Sequence, residues 1–100
     1  MSEPIVNYGA VTFRDICNRM VETHIRKQGD YGDSYAGLIR EFGDVAAVIP
    51  LQNKLDRIKN IIRNGGETNN ESLADSVLGL ACYAVMYLVE LNKRSGFDEI

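Results

Sequence analysis

Lys27-Gln28-Gly29-Asp30-Tyr31-Gly32-Asp33-Ser34 gathers a cation, two carboxylates, a phenol, a hydroxyl and two glycines into eight residues. Asp30 and Asp33 are short carboxylates around a flexible Tyr-Gly pair, and such oxygens suit magnesium with waters retained. Tyr31 or Tyr35 can stack on a base or donate to a phosphate. A bland turn explains the same residues: Asp33 or Ser34 as an N-cap, glycines for positive φ, and Lys27 as a charge complementing a helix C-terminus.

Two further pairs carry chemistry. Lys54 and Arg57 stand three apart, so on a helix they share a face and can grip phosphate, Arg through its fork and Lys as a point charge. An ordinary solvated face, with Asp56 and Glu41 nearby, is the competing explanation. Glu71 and Asp75 stand one turn apart at the start of a helical pattern. Both can face one magnesium ion, and both suit the positive end of a helix for purely electrostatic reasons. The single histidine, His24, falls on an apolar helix face and reads as a boundary residue. Cys17 and Cys82 read as small buried hydrophobes, because no metal-ligand spacing links them.

Composition narrows the classes. One hundred residues, 45% apolar and 25% charged, make one soluble domain spanning 1–100 with a single modest core. A net charge of -3 argues against duplex nucleic acid, whose binding needs a basic face, but leaves room for a small phosphorylated ligand. Met1 to Tyr8 lack the basic start and apolar centre of a secretory leader. The apolar run Val77 to Val89 is shorter than a bilayer requires, so no membrane partner is expected and the cytoplasm is the expected compartment.

Helical periodicity dominates. Residues 1–9 are irregular, with Pro4 and Gly9 as breakers. Phe13, Ile16, Cys17, Met20, Val21, His24 and Ile25 predict a helix from about Val11 or Thr12 to Gln28, ended by Gly29. A second segment starts near Asp33 or Ser34 and keeps helical spacing through Gly43 to Ile49. Pro50 predicts a kink or break, followed by a helix to about Arg63 with Leu51, Leu55, Ile58 and Ile62 as its stripe and Lys54, Arg57 and Ile61 on an adjacent one. Thr68 and Glu71 have capping-box spacing ahead of a last helix from about Glu71 to Lys93. That helix is apolar around much of its girth, which predicts a central position or a subunit interface. Tyr83 and Tyr87, one turn apart, read as packing residues whose hydroxyls reach a polar edge. The tail 94–100 reads as loose. The pattern predicts an all-α fold: a small bundle of four to five helices that oligomerises, as a dimer or higher, through its C-terminal helix.

Lys27-x-x-Asp30-Tyr31-Gly32, Lys54-x-x-Arg57, and Glu71-x-x-x-Asp75 leading into Leu80-Ala81-x-Tyr83-Ala84 together resemble the nucleotide-modification-associated domain of many bacteriophages, over roughly residues 12 to 92. That family is similar to the all-α NTP pyrophosphatases of the MazG and dimeric dUTPase type. The resemblance implies a (d)NTP or related phosphorylated nucleotide as ligand, host cytoplasm as compartment, and magnesium at Glu71 and Asp75. Lys27, Asp30, Tyr31, Asp33, Lys54 and Arg57 become the expected ligand and phosphate contacts. Catalytic residues are not identifiable. MazG-type enzymes carry Glu-Glu-x-x-Glu on the helix that here offers Lys54-x-x-Arg57. The phage family commonly places a second Asp one turn after Asp75, where this chain has Gly79. Two functions follow: a magnesium-dependent pyrophosphohydrolase, or a non-catalytic protein that sequesters a nucleotide or second messenger or contacts a host protein.

Overall fold

The structure, a computed structural model, describes residues 8–31, 33–65 and 72–95. It is all-α, with four helices and no strand among the described residues: α1 (Tyr8–Tyr31), α2 (Ser34–Phe42), α3 (Asp44–Arg63) and α4 (Leu73–Ser95). Two compact units divide the chain, Met1–Gly32 and Asp33–Ile100.

The first unit holds α1. This helix begins at Tyr8, before the expected start, and runs through Gly29 to Tyr31. Gly29 therefore does not end it. A glycine inside a helix costs about 1 kcal/mol against alanine, which 24 residues of helix absorb. Phe13, Ile16, Val21 and Ile25 are exposed, whereas Cys17, Met20 and His24 are half-buried.

In the second unit α2, α3 and α4 pack on one another. The break expected at Pro50 falls instead at Gly43. There φ is +85°, a region open to glycine, and the Gly43 amide closes α2 by donating to the Ile39 carbonyl at 2.8 Å. α3 then runs unbroken through Pro50 to Arg63. Proline deprives the Ala46 carbonyl of its donor. One residue on, the Tyr35 hydroxyl of α2 donates to the Ala47 carbonyl at 2.8 Å, so a side chain braces the turn before the proline. Gly65, with φ at +85°, follows the C-cap residue Asn64. The capping box expected at Thr68 and Glu71 lies outside the described residues. The Ser72 hydroxyl accepts from the Asp75 amide at 3.1 Å and caps α4, a contact of about 1 kcal/mol.

The core is small. Ile39, Ala46 and Ala47 form it, with Tyr35 and Tyr87 packed against them and Tyr83 edge-on to Tyr35 at 5.1 Å. Small residues at 46 and 47 let α3 approach its neighbours closely. The inward line of α3 is Ala47, Lys54 and Ile61, each seven residues from the next, with Ala47 and Ile61 at 0% and 1% exposure. The expected stripe is displaced: Leu55 and Ile62 are exposed, and the adjacent stripe packs inward.

α4 turns the unexpected way as well. Its most buried residues are Ser76 and Glu90, and Tyr83 lies midway between them on the same seven-residue line. Leu73, Val77, Val85, Leu88 and Val89 are exposed on the outer side. The helix thus buries Ser76 and Glu90 most deeply, half-buries Leu78, Leu80, Met86 and Leu91, and leaves five large apolar residues outward. Cys82 and Cys17 are half-buried and not joined in a disulfide, so neither is the fully buried hydrophobe expected. Over Leu73–Arg94 the helix is long and apolar enough, by length and composition, to cross a bilayer, so the shorter run Val77 to Val89 understated it.

Candidate functional site

α3 and α4 form an antiparallel hairpin, and its seam holds Lys54. A Cβ built on Gly79 would sit 2.9 Å from Lys54 Cε and 3.2 Å from its Nζ. The lysine thus lies across α4 where α4 has no side chain. Its neighbours along the line, Ala47 and Ile61, are buried, while Lys54 keeps partial exposure. The end of the side chain, Cδ to Nζ, passes over the backbone of Gly79 while the residue as a whole stays partly exposed. Arg57 follows one turn later, also half-buried. The glycine is thereby accounted for by the close passage of a cation.

Asp75 is exposed in the first turn of α4, one turn before Gly79. The antiparallel run sets it level with the turn of α3 that carries Arg57. Glu71 lies outside the described residues. Among the described residues no three of His, Cys, Asp and Glu converge as metal ligands. The space that a side chain at position 79 would fill is taken by the end of the Lys54 side chain. A divalent cation gains nothing from an ammonium neighbour, and Gly79 offers no ligand beside Asp75.

The Lys27 to Ser34 segment is not an interhelical loop. Lys27 is exposed on α1, and Asp30 and Tyr31 occupy its last turn, with side chains outside those described. Asp33 forms the turn before α2, where its carbonyl accepts from the Gly37 amide at 3.0 Å. Its carboxylate stands 3.7 Å from the Arg40 guanidinium, both ends more than half exposed. Asp33 precedes the helix but makes no side-chain cap bond.

A second polar centre escaped the sequence reading. Ile39, Arg40, Gly43, Asp44, Glu90, Lys93 and Arg94 line an open cleft of about 640 Å³. Glu90, its side chain only 9% exposed, lies 3.5 Å from Arg40 and 3.0 Å from Lys93. Arg94 grips Asp44 with both guanidinium nitrogens, the nearer at 2.6 Å, so residue 94 belongs to the helix and not to a loose tail. The hydrogen bond from Arg94, then one from Tyr87, holds the Asp44 carboxyl below its ordinary range, and Asp44 in turn raises Arg94. Burial, then Asp44, pushes the Tyr87 phenol up. Tyr87 thus packs on the core and reaches a polar edge, as its spacing predicted. Every cation of this cleft faces a carboxylate, so it reads as a clamp joining α2 and the start of α3 to the end of α4. Only the Glu90–Lys93 spacing signalled it in sequence.

No curated protein and no solved structure matches this chain. A family pattern does, from residue 27 to residue 91, and so takes in Lys27, the Lys54–Arg57 pair, Asp75 and Gly79. With 65 of the 100 residues inside that match, the chain belongs to the family described as nucleotide modification associated domain 1.

Proposed function

We propose that this protein binds a phosphorylated nucleotide, or a signal made from one, and that Lys54 and Arg57 of α3 contact its phosphate. The observation that supports this reading most is Lys54 itself. It interrupts a line whose other members are fully buried, at a place where an apolar residue would pack better. Burying part of a lysine is costly, and replacing buried charges by apolar isosteres is often neutral or stabilising. The cation held there, with the half-buried Arg57 one turn on, offers charge-assisted contacts that suit a phosphate. The family description, which concerns nucleotide modification, points to the same ligand class. Lys27, Asp30, Tyr31 and Asp33 fall within the matched stretch and are proposed as further contacts, to be tested by separate substitutions.

The outer face of α4 is proposed as the contact with a second copy of the chain. Leu73, Val77, Val85, Leu88 and Val89 all expose more than a third of their surface there. A bilayer is the other medium such a face suits, but Glu90, Lys93 and Arg94 fasten the helix to α2 and α3 by ion pairs. On this reading the protein is phage-type, similar in architecture to the MazG and dimeric dUTPase group, and works in the host cytoplasm.

Isothermal titration with a panel of NTPs and dNTPs, in magnesium and in EDTA, tests the reading. Binding with no pyrophosphate released supports a grip without cleavage. Magnesium-dependent release of pyrophosphate establishes the hydrolase instead, with Asp75 and Glu71 as the first acids to substitute. An absence of binding to every member rejects the nucleotide reading.

A further inference from the structure

Gly79 has a role that the nucleotide reading does not assign. It stands in the middle of α4, where glycine is the weakest helix former apart from proline. Nothing about its backbone requires glycine, because positive φ occurs among the described residues only at Gly43 and Gly65. What it provides is space. Lys54 Cδ, Cε and Nζ all lie within 3.3 Å of where a Cβ would be. Any other residue displaces the lysine.

We infer that Gly79 is a positioning residue that seats the Lys54 ammonium in the α3–α4 seam, where it serves as the resident cation for ligand phosphate in place of a divalent metal. The inference rests on the phosphate-binding reading above. Its physical basis is substitution of one charge carrier for another. An acid at position 79 would add to Asp75 and favour a metal, which would then carry the phosphate. A glycine there admits a lysine from the facing helix, and the ammonium meets the phosphate directly. Lys54 and Gly79 thus form a matched pair: the cation is useful only if the opposite helix leaves it room. Arg57, one turn along the same helix, extends the positive edge.

The experiment measures binding of inorganic triphosphate and of ATP to wild type, Gly79→Ala, Lys54→Met and the double variant, each in EDTA and in magnesium. Thermal melts accompany each protein. Alanine at 79 favours the helix, and the side chain it meets is the flexible end of a lysine, so the fold is expected to persist. Lys54→Gln replaces Lys54→Met if the latter does not fold. The expected result is equal affinity with and without magnesium, and a loss of about tenfold or more for Lys54→Met, the scale of one charge-assisted hydrogen bond. Gly79→Ala is expected to weaken binding several-fold without lowering the melting temperature. The double variant is expected to be no weaker than Lys54→Met alone, because the glycine acts only through the lysine. Binding that vanishes in EDTA, or Gly79→Ala with wild-type affinity, overturns this inference while leaving the phosphate reading standing. A wild type that binds neither probe nor any member of the nucleotide panel overturns both.

Discussion

Tyr35→Phe isolates one contact on which the second unit depends. The substitution keeps the ring and its edge-on contact with Tyr83 at 5.1 Å. It removes only the hydroxyl that donates to the Ala47 carbonyl at 2.8 Å. Ala47 is fully buried, so water has no access with which to replace the lost donor. A net hydrogen bond of this kind contributes about 0.5–1.5 kcal/mol. For a domain of this size that corresponds to a fall in Tm of roughly 4–8 °C per kcal/mol. Circular dichroism melts at one fixed protein concentration measure it, because assembly would make Tm concentration-dependent. The phenol adds a pH signature. Burial, then the neighbouring Tyr83 and Tyr87, raises the Tyr35 pKa above its ordinary 10.0. A raised folded pKa gives stability that is complete below the unfolded value and is lost as pH climbs through the folded one. Wild type should therefore lose its advantage over Tyr35→Phe as pH rises above about 10. Equal Tm at neutral pH, with parallel loss in alkali, would show that the hydroxyl does not brace α3 and would refute this reasoning.

Three other outcomes are expected. Ile61→Ala empties a site that is 1% exposed and should cost about 2–5 kcal/mol, a large share of the roughly 5–15 kcal/mol that holds a domain together; urea titration measures it. Val77→Glu with Val85→Glu places charge on the outer face of α4 and should convert an oligomer to monomer in light scattering with little change in monomer helicity, whereas release from anionic vesicles instead would assign the face to a membrane. Asp44 has a folded pKa below its ordinary 3.8, so its contribution is present above that value and lost as pH falls through the folded one. Asp44→Asn should remove that acid-limb component, and a carboxyl NMR titration of wild type should place Asp44 below its ordinary range, with Arg94→Ala moving it back up.

Helix number, the start of α2, the end of α3 and both ends of α4 to within two residues were legible in the sequence, because periodicity and caps are local. The failures have specific causes. Gly43 breaks a helical period that its neighbours sustain on both sides, and a window of several residues averages over a single positive φ. Pro50 was misjudged because the helix carries it in its interior: the chain breaks earlier, at Gly43, and α3 runs through the proline. The α4 pattern revealed a stripe but not which side packs inward. Its inward line of Ser76, Tyr83 and Glu90 is polar, opposite to the usual rule. Lys54 and Arg57 were legible as residue types. That Lys54 lies on a buried line beneath Gly79 was not, because it depends on how two helices align.

That alignment has a consequence for how the hairpin finds its structure. A seam of purely aliphatic residues tolerates sliding, since one methyl replaces another. Here a shift of α4 by one turn, about 5.4 Å, would carry Gly79 away from Lys54 and set a full side chain against it. The same shift would part Arg94 from Asp44 and Glu90 from Arg40. Polar groups placed in an interface specify register at some expense of stability. The lysine, the glycine and the two ion pairs therefore act as an index mark: they admit one alignment of α3 and α4 and reject its neighbours.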